Sequence, residues 1–133
     1  MKYLLDTNIC IYIIKKKPDK VINKFREHKV GDIAISSITV AELNYGIAKS
    51  SKPYENTIAL KEFIQPLEII DFSQEDSEAY GEIRATLENK GVPIGAMDLL
   101  IASQAINRNL ILVTNNENEF KRVKRIRIEN WSK

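Results

Sequence analysis

The sequence predicts an α/β domain in which helices cover both faces of a central, mostly parallel sheet. Short runs of β-branched and aliphatic residues alternate along the chain with longer segments of helical periodicity. The strand-like runs are apolar at nearly every position, which is typical of strands buried on both faces. A length of 133 residues, with no internal repeat, linker or low-complexity segment, indicates one domain spanning residues 1–133.

The first half of the chain is predicted to contain three strands and four helices. A buried strand over Tyr3–Asp6 precedes a helix that Thr7 or Asn8 is suited to cap. Pro18 opens the second helix, because proline fits the first helical turn without losing a hydrogen bond. The other elements of this half are a strand at Asp32–Ser36, helices at Ile38–Lys49 and Pro53–Ile64, and a strand at Leu67–Phe72.

The second half of the chain carries clear helix boundaries. Ser73 and Asp76 form a capping-box pattern at the start of a long helix that ends at Gly91. Pro93–Gly95 then leads into a helix that runs through Asn107. The last elements are a strand at Leu110–Thr114, a turn of helix at Asn116–Phe120 and a strand at Arg125–Asn130. In parallel sheets of this kind, functional groups gather where strands end and the following helices begin.

The composition excludes several classes of functional site. One cysteine forms neither an internal disulfide nor a structural zinc site, and one histidine cannot supply two imidazoles. Neither a GxxxxGK[ST] nor a GxGxxG phosphate-binding loop occurs. Cys10 is predicted to pack in the core, and His28, in a charged run, to be solvated. No apolar run approaches the roughly 20 residues of a membrane helix and no signal peptide is evident, so we expect a cytoplasmic protein without membrane contact.

The net charge of +2 conceals an uneven distribution of charge. Residues 1–35 carry eight Lys or Arg against four acids, and residues 115–133 carry six against three. Residues 54–98 carry ten acids against three bases. Basic ends are compatible with a polyanionic partner such as nucleic acid, although solvated helix faces give the same pattern.

Three apolar segments each contain a single charged residue, and each time it is an acid. The acids, with the range in which each is the only charge, are Asp6 (3–14), Glu42 (33–48) and Asp98 (91–107). Because these segments are predicted to be buried and an unpaired buried charge is costly, the acids are candidates for a functional site. Ordinary alternatives are an Asx turn at Asp6, a thin solvated stripe at Glu42 and a helix-dipole contact at Asp98.

The strand–helix junctions would bring the three carboxylates into one pocket at the carboxyl edge of the sheet. At about 4 Å, two like charges repel by on the order of 4 kcal/mol at an effective dielectric near 20. Some acids must therefore keep a proton or share a cation, and no Lys or Arg lies within these segments. Oxygen ligands without His or Cys suit Mg²⁺ or Mn²⁺ rather than Zn²⁺ or copper. Such a site favours hydrolysis at phosphorus.

Four motifs together resemble one known family. They are LLDTN at 4–8, ISSITVAEL at 35–43, GAMDLLIA at 95–102 and LVTNN at 112–116. In this order and spacing they resemble the PIN-domain ribonucleases, and most of all the VapC toxins of bacterial VapBC toxin–antitoxin systems. The resemblance implies a PIN-like three-layer α/β/α domain with a central, mostly parallel sheet. It also implies an endoribonuclease that hydrolyses RNA phosphodiester bonds with Mg²⁺ or Mn²⁺.

The same resemblance assigns roles to individual residues. Asp6 and Asp98 match the metal ligands of the family, and Glu42 matches an acid that holds metal directly or through water. Asn116 stands where many relatives carry a further acid, and its amide lowers the negative charge of the site. Glu119 is a nearby residue that would restore that charge; its alternative role is that of a solvated helix residue. The expected catalytic set is therefore Asp6, Glu42, Asp98 and Asn116.

Partners also follow from the resemblance. It implies a cognate VapB-type antitoxin whose C-terminal arm crosses the pocket, a homodimer, and an RNA substrate that for several relatives is tRNA. Those relatives cut the anticodon stem-loop, including that of initiator tRNA. The basic runs Lys15–Lys17, with Lys20, and Lys121–Arg127 are candidates to line the RNA path.

Two other functions are compatible with parts of the pattern. A Mg²⁺-binding phosphoacceptor signalling domain also places acids at strand ends, but it needs paired acids near the first strand and a lysine after a late strand. A non-catalytic RNA-binding module explains the basic ends and leaves the isolated acids unexplained.

Overall fold

Five short strands form a wholly parallel sheet in the order β3-β2-β1-β4-β5 in the computed structural model, which describes residues 1–133. The strands are β1 (Tyr3–Leu5), β2 (Ile33–Ser36), β3 (Glu68–Ile70), β4 (Ile111–Val113) and β5 (Arg127–Glu129). The register pairs Leu5 with Ile35 on one side and with Val113 on the other. The ends of β1, β2 and β4 therefore lie side by side at the carboxyl edge of the sheet.

Seven α-helices cover the two faces of this sheet. They are α1 (Thr7–Lys15), α2 (Asp19–Arg26), α3 (Ser37–Ala48), α4 (Pro53–Ile64), α5 (Gln74–Asn89), α6 (Ala96–Asn107) and α7 (Glu117–Phe120). Tyr3 and Leu5 pack into one core cluster with α1 to α4, and Leu4 packs into a second cluster with α5 and α6. The three-layer α/β/α fold is thus confirmed. None of the helices combines the length and apolar composition that crossing a membrane requires.

The boundary between β1 and α1 differs from the prediction. The cap of α1 is Asp6, not Thr7 or Asn8: the Asp6 backbone is extended (φ −79°, ψ 171°), and its Oδ1 accepts a hydrogen bond from Ile9 N at 2.9 Å. Because the chain passes from strand to helix within one residue, the last residue of the strand motif is also the cap. The ordinary alternative for Asp6, in which its side chain accepts a hydrogen bond from the backbone just after the strand, is therefore also present.

A buried ionic cluster joins the start of α5 to the end of α6. The predicted capping box is confirmed, since Asp76 N donates to Ser73 Oγ (3.1 Å) and Asp76 Oδ2 accepts from Ser73 N (2.8 Å). The fully buried Asp76 carboxylate also accepts from Asn107 Nδ2 (2.8 Å) and Arg108 Nη2 (3.0 Å). Burial acts to raise the pKa of Asp76, but these hydrogen bonds and the Arg108 charge outweigh it and lower that pKa to about 2.

Two predictions about burial are wrong, and a third is confirmed. The segment 33–48 is not buried throughout, since Tyr45 of α3 is 66% exposed. His28 is not simply solvated: its ring stacks on Trp131 with centroids 5.0 Å apart, because the end of the chain folds back beside Tyr3. Cys10 is fully buried in the core, as predicted.

Candidate active site

Four chain segments bring acidic side chains to the carboxyl edge of the sheet. Asp6 follows β1, Glu42 lies in the helix that follows β2, Asp98 lies in the first turn of α6, and Glu119 lies in α7 beyond β4. The neighbouring strands β1 and β4 join directly here, because Asp6 N donates to Val113 O at 3.0 Å. The parallel topology therefore brings these four acids, which are far apart in sequence, to one edge of the sheet, which we call the acidic pocket.

Asp6 is the most deeply buried of these acids, with 3% of its surface exposed. Burial is the main reason that its pKa rises to about 6; the Glu42 charge adds to the increase, and hydrogen bonds from the Thr114 hydroxyl and Ile9 N reduce it. Thr114 Oγ1 also accepts from Asn116 N at 2.9 Å. One buried hydroxyl thus connects the residue after β1 to the loop after β4.

Glu42 is held by the first residue of α1. Thr7 Oγ1 donates to Glu42 Oε1 at 2.6 Å, and it lies 3.3 Å from the Oγ1 of Thr39, which is fully buried. The polar stripe that contains Thr39 and Glu42 therefore faces α1 and the acidic pocket. The alternative that this stripe is merely solvated is not supported, since Glu42 is half-buried and accepts a hydrogen bond from Thr7.

Asp98 and Glu119 form a hydrogen-bonded pair of carboxyl groups. Burial, the hydrogen bond and charge of Glu119, and the charges of Asp6 and Glu42 together raise the pKa of Asp98 to about 7. Burial acts to raise the pKa of Glu119 as well, but hydrogen bonds from Gly95 N and Asn116 outweigh it and lower that pKa. Because Glu119 already accepts a hydrogen bond at each oxygen, its ionised form is favoured, and Asp98 is the member of the pair suited to carry the shared proton.

Glu119 is fixed from two sides. Its Oε1 accepts from Gly95 N and its Oε2 accepts from Asn116 Nδ2, both at 2.9 Å. A Cβ added at Gly95 would lie 3.6 Å from Glu119 Oε1 and 3.8 Å from Asp98 Oδ2, so the loop before α6 passes beside both carboxyl groups. In this structure Asn116 acts on the site by holding Glu119.

The electrostatics of the site favour a cation. None of the four acids forms an ion pair with Lys or Arg, and two have a raised pKa to which a neighbouring carboxylate contributes. The oxygen donors suit Mg²⁺ or Mn²⁺, whereas Cys10 lies in the core and His28 packs on Trp131. No group of three or more His, Cys, Asp or Glu side chains is placed so that all of them could coordinate one metal ion. Because Mg²⁺ usually binds one or two carboxylates and keeps several waters, the donor set still fits.

These pKa shifts predict that the metal-free protein loses stability as the pH rises. Asp6 and Asp98 both have a folded-state pKa above the unfolded value of 3.8. Each therefore contributes stability that is fully present below about pH 4. That contribution is lost as the pH rises through about 6 for Asp6 and about 7 for Asp98. We expect the melting temperature in chelator to fall between pH 5 and pH 8, and to fall less in Asp98→Asn. The control is Asp19→Asn, which removes an exposed acid. If the melting temperature fell equally with pH in Asp98→Asn and Asp19→Asn, Asp98 would not be a source of the pH dependence.

Sequence reasoning missed part of the hydrogen-bonding framework. Thr7 and Thr114 hold Glu42 and Asp6, and both lie within the motifs already singled out, beside the acids. Glu119 was a candidate, but nothing in the sequence indicated that it pairs with Asp98. Charge interactions couple Asp6, Glu42 and Asp98, and Asn116 is linked to them through Glu119 and Thr114. Their catalytic role stays a prediction.

Comparison with known proteins identifies the family. A model of the PIN domain matches residues 3–126. Ribonuclease VapC2 of Rickettsia felis is 53% identical over 134 residues, with 100% of each chain covered. The tRNA(fMet)-specific endonuclease VapC of Shigella flexneri is 42% identical, with 99% of each chain covered. A chain in the crystal structure of VapBC2 from Rickettsia felis, bound to a DNA fragment from their promoter, is 50% identical; the match covers 98% of this chain and 99% of that one, with a TM-score of 0.90.

These full-length similarities agree with the four motifs and with the three-layer fold around the acidic pocket. They favour a nuclease over a phosphoacceptor domain or a non-catalytic RNA-binding module. The chain therefore belongs to the PIN-domain family and, within it, to the VapC ribonucleases, the endoribonuclease toxins of VapBC toxin–antitoxin systems.

Proposed function

We propose that this ribonuclease cleaves tRNA with a divalent cation, Mg²⁺ or Mn²⁺, held by Asp6 and Asp98. Glu42 and Asn116 complete the catalytic set, and Glu119 joins it. The observation that carries the proposal is the electrostatic coupling of acids from separate chain segments. The charges of Glu119, Asp6 and Glu42 add to burial in raising the pKa of Asp98, and none of these acids forms an ion pair with Lys or Arg. An acidic pocket of this kind repels the phosphates of RNA unless a cation intervenes.

The cation supplies activation of a water molecule for attack on phosphorus and stabilisation of the charge that develops on the phosphate. The protein supplies the positions of the oxygen donors. Thr114 orients Asp6 through its hydroxyl, and Thr7 orients Glu42. Asn116 and the Gly95 amide orient Glu119, which in turn fixes Asp98. Asp6, Glu42 and Glu119 are thus preorganised by hydrogen-bond partners that carry no charge of their own, whereas Asp98 is held by the Glu119 carboxyl group.

The proposed substrate and partner follow from the relatives. The Shigella flexneri protein is named a tRNA(fMet)-specific endonuclease, so initiator tRNA, cut in its anticodon stem-loop, is the first substrate to examine. Such a substrate implies a cytoplasmic site of action. The VapBC2 structure supports a VapB-type antitoxin as the cognate partner. The homodimer implied by the motifs stays a prediction.

Mapping RNA ends after brief expression in cells tests this function. Wild type is expected to produce new ends within one or a few tRNA anticodon stem-loops, and Asp98→Asn is expected to produce none. Asp19→Asn, which removes an exposed acid from α2, should behave as wild type. New ends that are equally abundant in wild type and Asp98→Asn would contradict the assignment of the site. Ends confined to other RNAs would contradict the substrate.

A further inference from the structure

A cleft of about 190 Å³ lies between the C-terminal half of α5 and the segment that follows α7. Four basic residues line it: Lys90, Arg122, Lys124 and Arg125. Glu82 is its one acidic residue, and buried apolar side chains such as Val123 anchor the segment beneath it. We call this feature the basic cleft.

The four cations of the basic cleft are not neutralised by ion pairs, although the charge of Arg122 acts on Glu119 and helps to lower its pKa. All four side chains are exposed, and none of them takes part in an ion pair. This contrasts with Arg84 and Arg108, which pair with Glu88 and Asp76 nearby. Clustered cations repel one another and attract an anionic partner, so the basic cleft is a candidate binding surface for a polyanion.

The backbone of the segment after α7 contains one residue with a positive φ angle. Arg125 adopts a left-handed conformation (φ 68°), which costs free energy for a residue other than glycine. Arg125 lines both the basic cleft and an adjacent hollow that contains Arg127, whose Nη2 donates to Asn109 O at 2.7 Å. The positive surface therefore continues past the basic cleft along this side of the molecule.

The basic cleft is linked to the acidic pocket by direct contacts. Arg122 follows Glu119 by one helical turn, and its Nη1 donates to Pro93 O at 2.8 Å. Two residues after Pro93, Gly95 N donates to Glu119 Oε1. A strand with one phosphate at the acidic pocket would therefore pass Arg122 before it reaches the other three cations.

We propose that the basic cleft binds backbone phosphates of the RNA substrate away from the scissile position, and that it supplies much of the affinity for folded tRNA. This inference rests on the proposed function, because it names where the remainder of that substrate lies. RNA is favoured over an acidic peptide because the cations form a track that leads from the hydrolytic pocket. Phosphate contacts of this kind position a nucleic acid without reading its sequence.

A triple substitution tests the proposal. Lys90→Gln, Lys124→Gln and Arg125→Asn remove three charges, and Asn suits the left-handed backbone at position 125. The matched control removes three exposed lysines elsewhere, with Lys24→Gln, Lys29→Gln and Lys61→Gln. Both sets carry Asp98→Asn so that tRNA stays intact, and melting curves verify that both fold. Arg122 is left unchanged because it holds the loop before α6.

The readout is the dissociation constant for tRNA over a series of salt concentrations. We expect the cleft variant to bind tRNA roughly 10-fold to 100-fold more weakly and its salt slope to fall by about 2 to 3, while the control changes little. In the active background, KM for tRNA should rise with kcat unchanged. Equal affinities and slopes for the cleft and control variants would overturn the proposal.

Two further arms separate the outcomes. Loss of binding to duplex DNA or to polyglutamate, with tRNA binding intact, would overturn RNA as the occupant. Failure of wild type to cleave any tRNA would overturn the proposed function of the acidic pocket, whereas the basic cleft is judged by the dissociation constants alone.

Discussion

Replacing Asp98 with Asn is expected to reduce RNA cleavage by at least about 10³-fold and to leave the free energy of unfolding unchanged or higher. A metal ion at a phosphoryl site stabilises the transition state by several kcal/mol, and each 1.4 kcal/mol corresponds to a factor of ten in rate. If Asp98 holds the metal as proposed, the substitution removes that stabilisation. The amide also avoids both causes that raise the pKa of Asp98: the cost of burying its charge, and repulsion by Glu119, Asp6 and Glu42.

Single-turnover cleavage of purified tRNA and urea unfolding at pH 8 measure the two effects on the same preparations. Asp19→Asn controls for the loss of an exposed acid and should match wild type in both assays. A variant that loses activity and several kcal/mol of stability together would indicate that Asp98 supports the fold. Cleavage at the wild-type rate would remove Asp98 from the catalytic set.

The Asp76→Ala substitution is expected to lower the free energy of unfolding by about 3 kcal/mol without changing the acidic pocket. It leaves Arg108 and Asn107 without their carboxylate acceptor and breaks one half of the capping box at Ser73. Removing one partner of a buried ion pair typically costs about 3–5 kcal/mol. The lower end applies here, because the Arg108 side chain is 28% exposed and can recover water.

The pH dependence of stability that Asp76 confers has the opposite sign to that of Asp6 and Asp98. Its pKa falls from 3.8 to about 2 on folding, so its contribution to stability is fully present above about pH 4 and is lost as the pH falls to about 2. In urea unfolding between pH 2 and pH 7, the free energy of unfolding should fall more steeply towards low pH for wild type than for Asp76→Ala. The exposed neighbour Glu75→Ala should follow wild type, and identical acid profiles for all three proteins would contradict the role of Asp76.

Much of the fold follows from local signals in the sequence. The apolar runs of β1, β2 and β4 and the Ser73–Asp76 capping box are short-range patterns, and the structure contains each of them. The exposure of Tyr45 was not predictable, because an apolar residue on a helix does not reveal whether another element covers it. The stacking of His28 on Trp131 joins opposite ends of the chain and has no local signal.

The candidate site likewise contains residues that the sequence indicates and residues that it does not. Asp6, Glu42 and Asp98 could be found because each is the one charge in an apolar segment. Their partners could not, because Thr7, Thr114 and Glu119 are ordinary polar residues until the parallel sheet brings their segments together. The cap at Asp6 was assigned to the wrong residues since the strand end and the helix start coincide.

Binding of Mn²⁺ followed by electron paramagnetic resonance tests the central claim most directly, because it counts free and bound metal with no RNA present. We expect saturable binding to wild type at pH 8, and loss of that binding in both Asp6→Asn and Asp98→Asn while each variant remains folded. Binding of equal affinity in wild type and either variant would show that these two carboxylates do not hold the metal together.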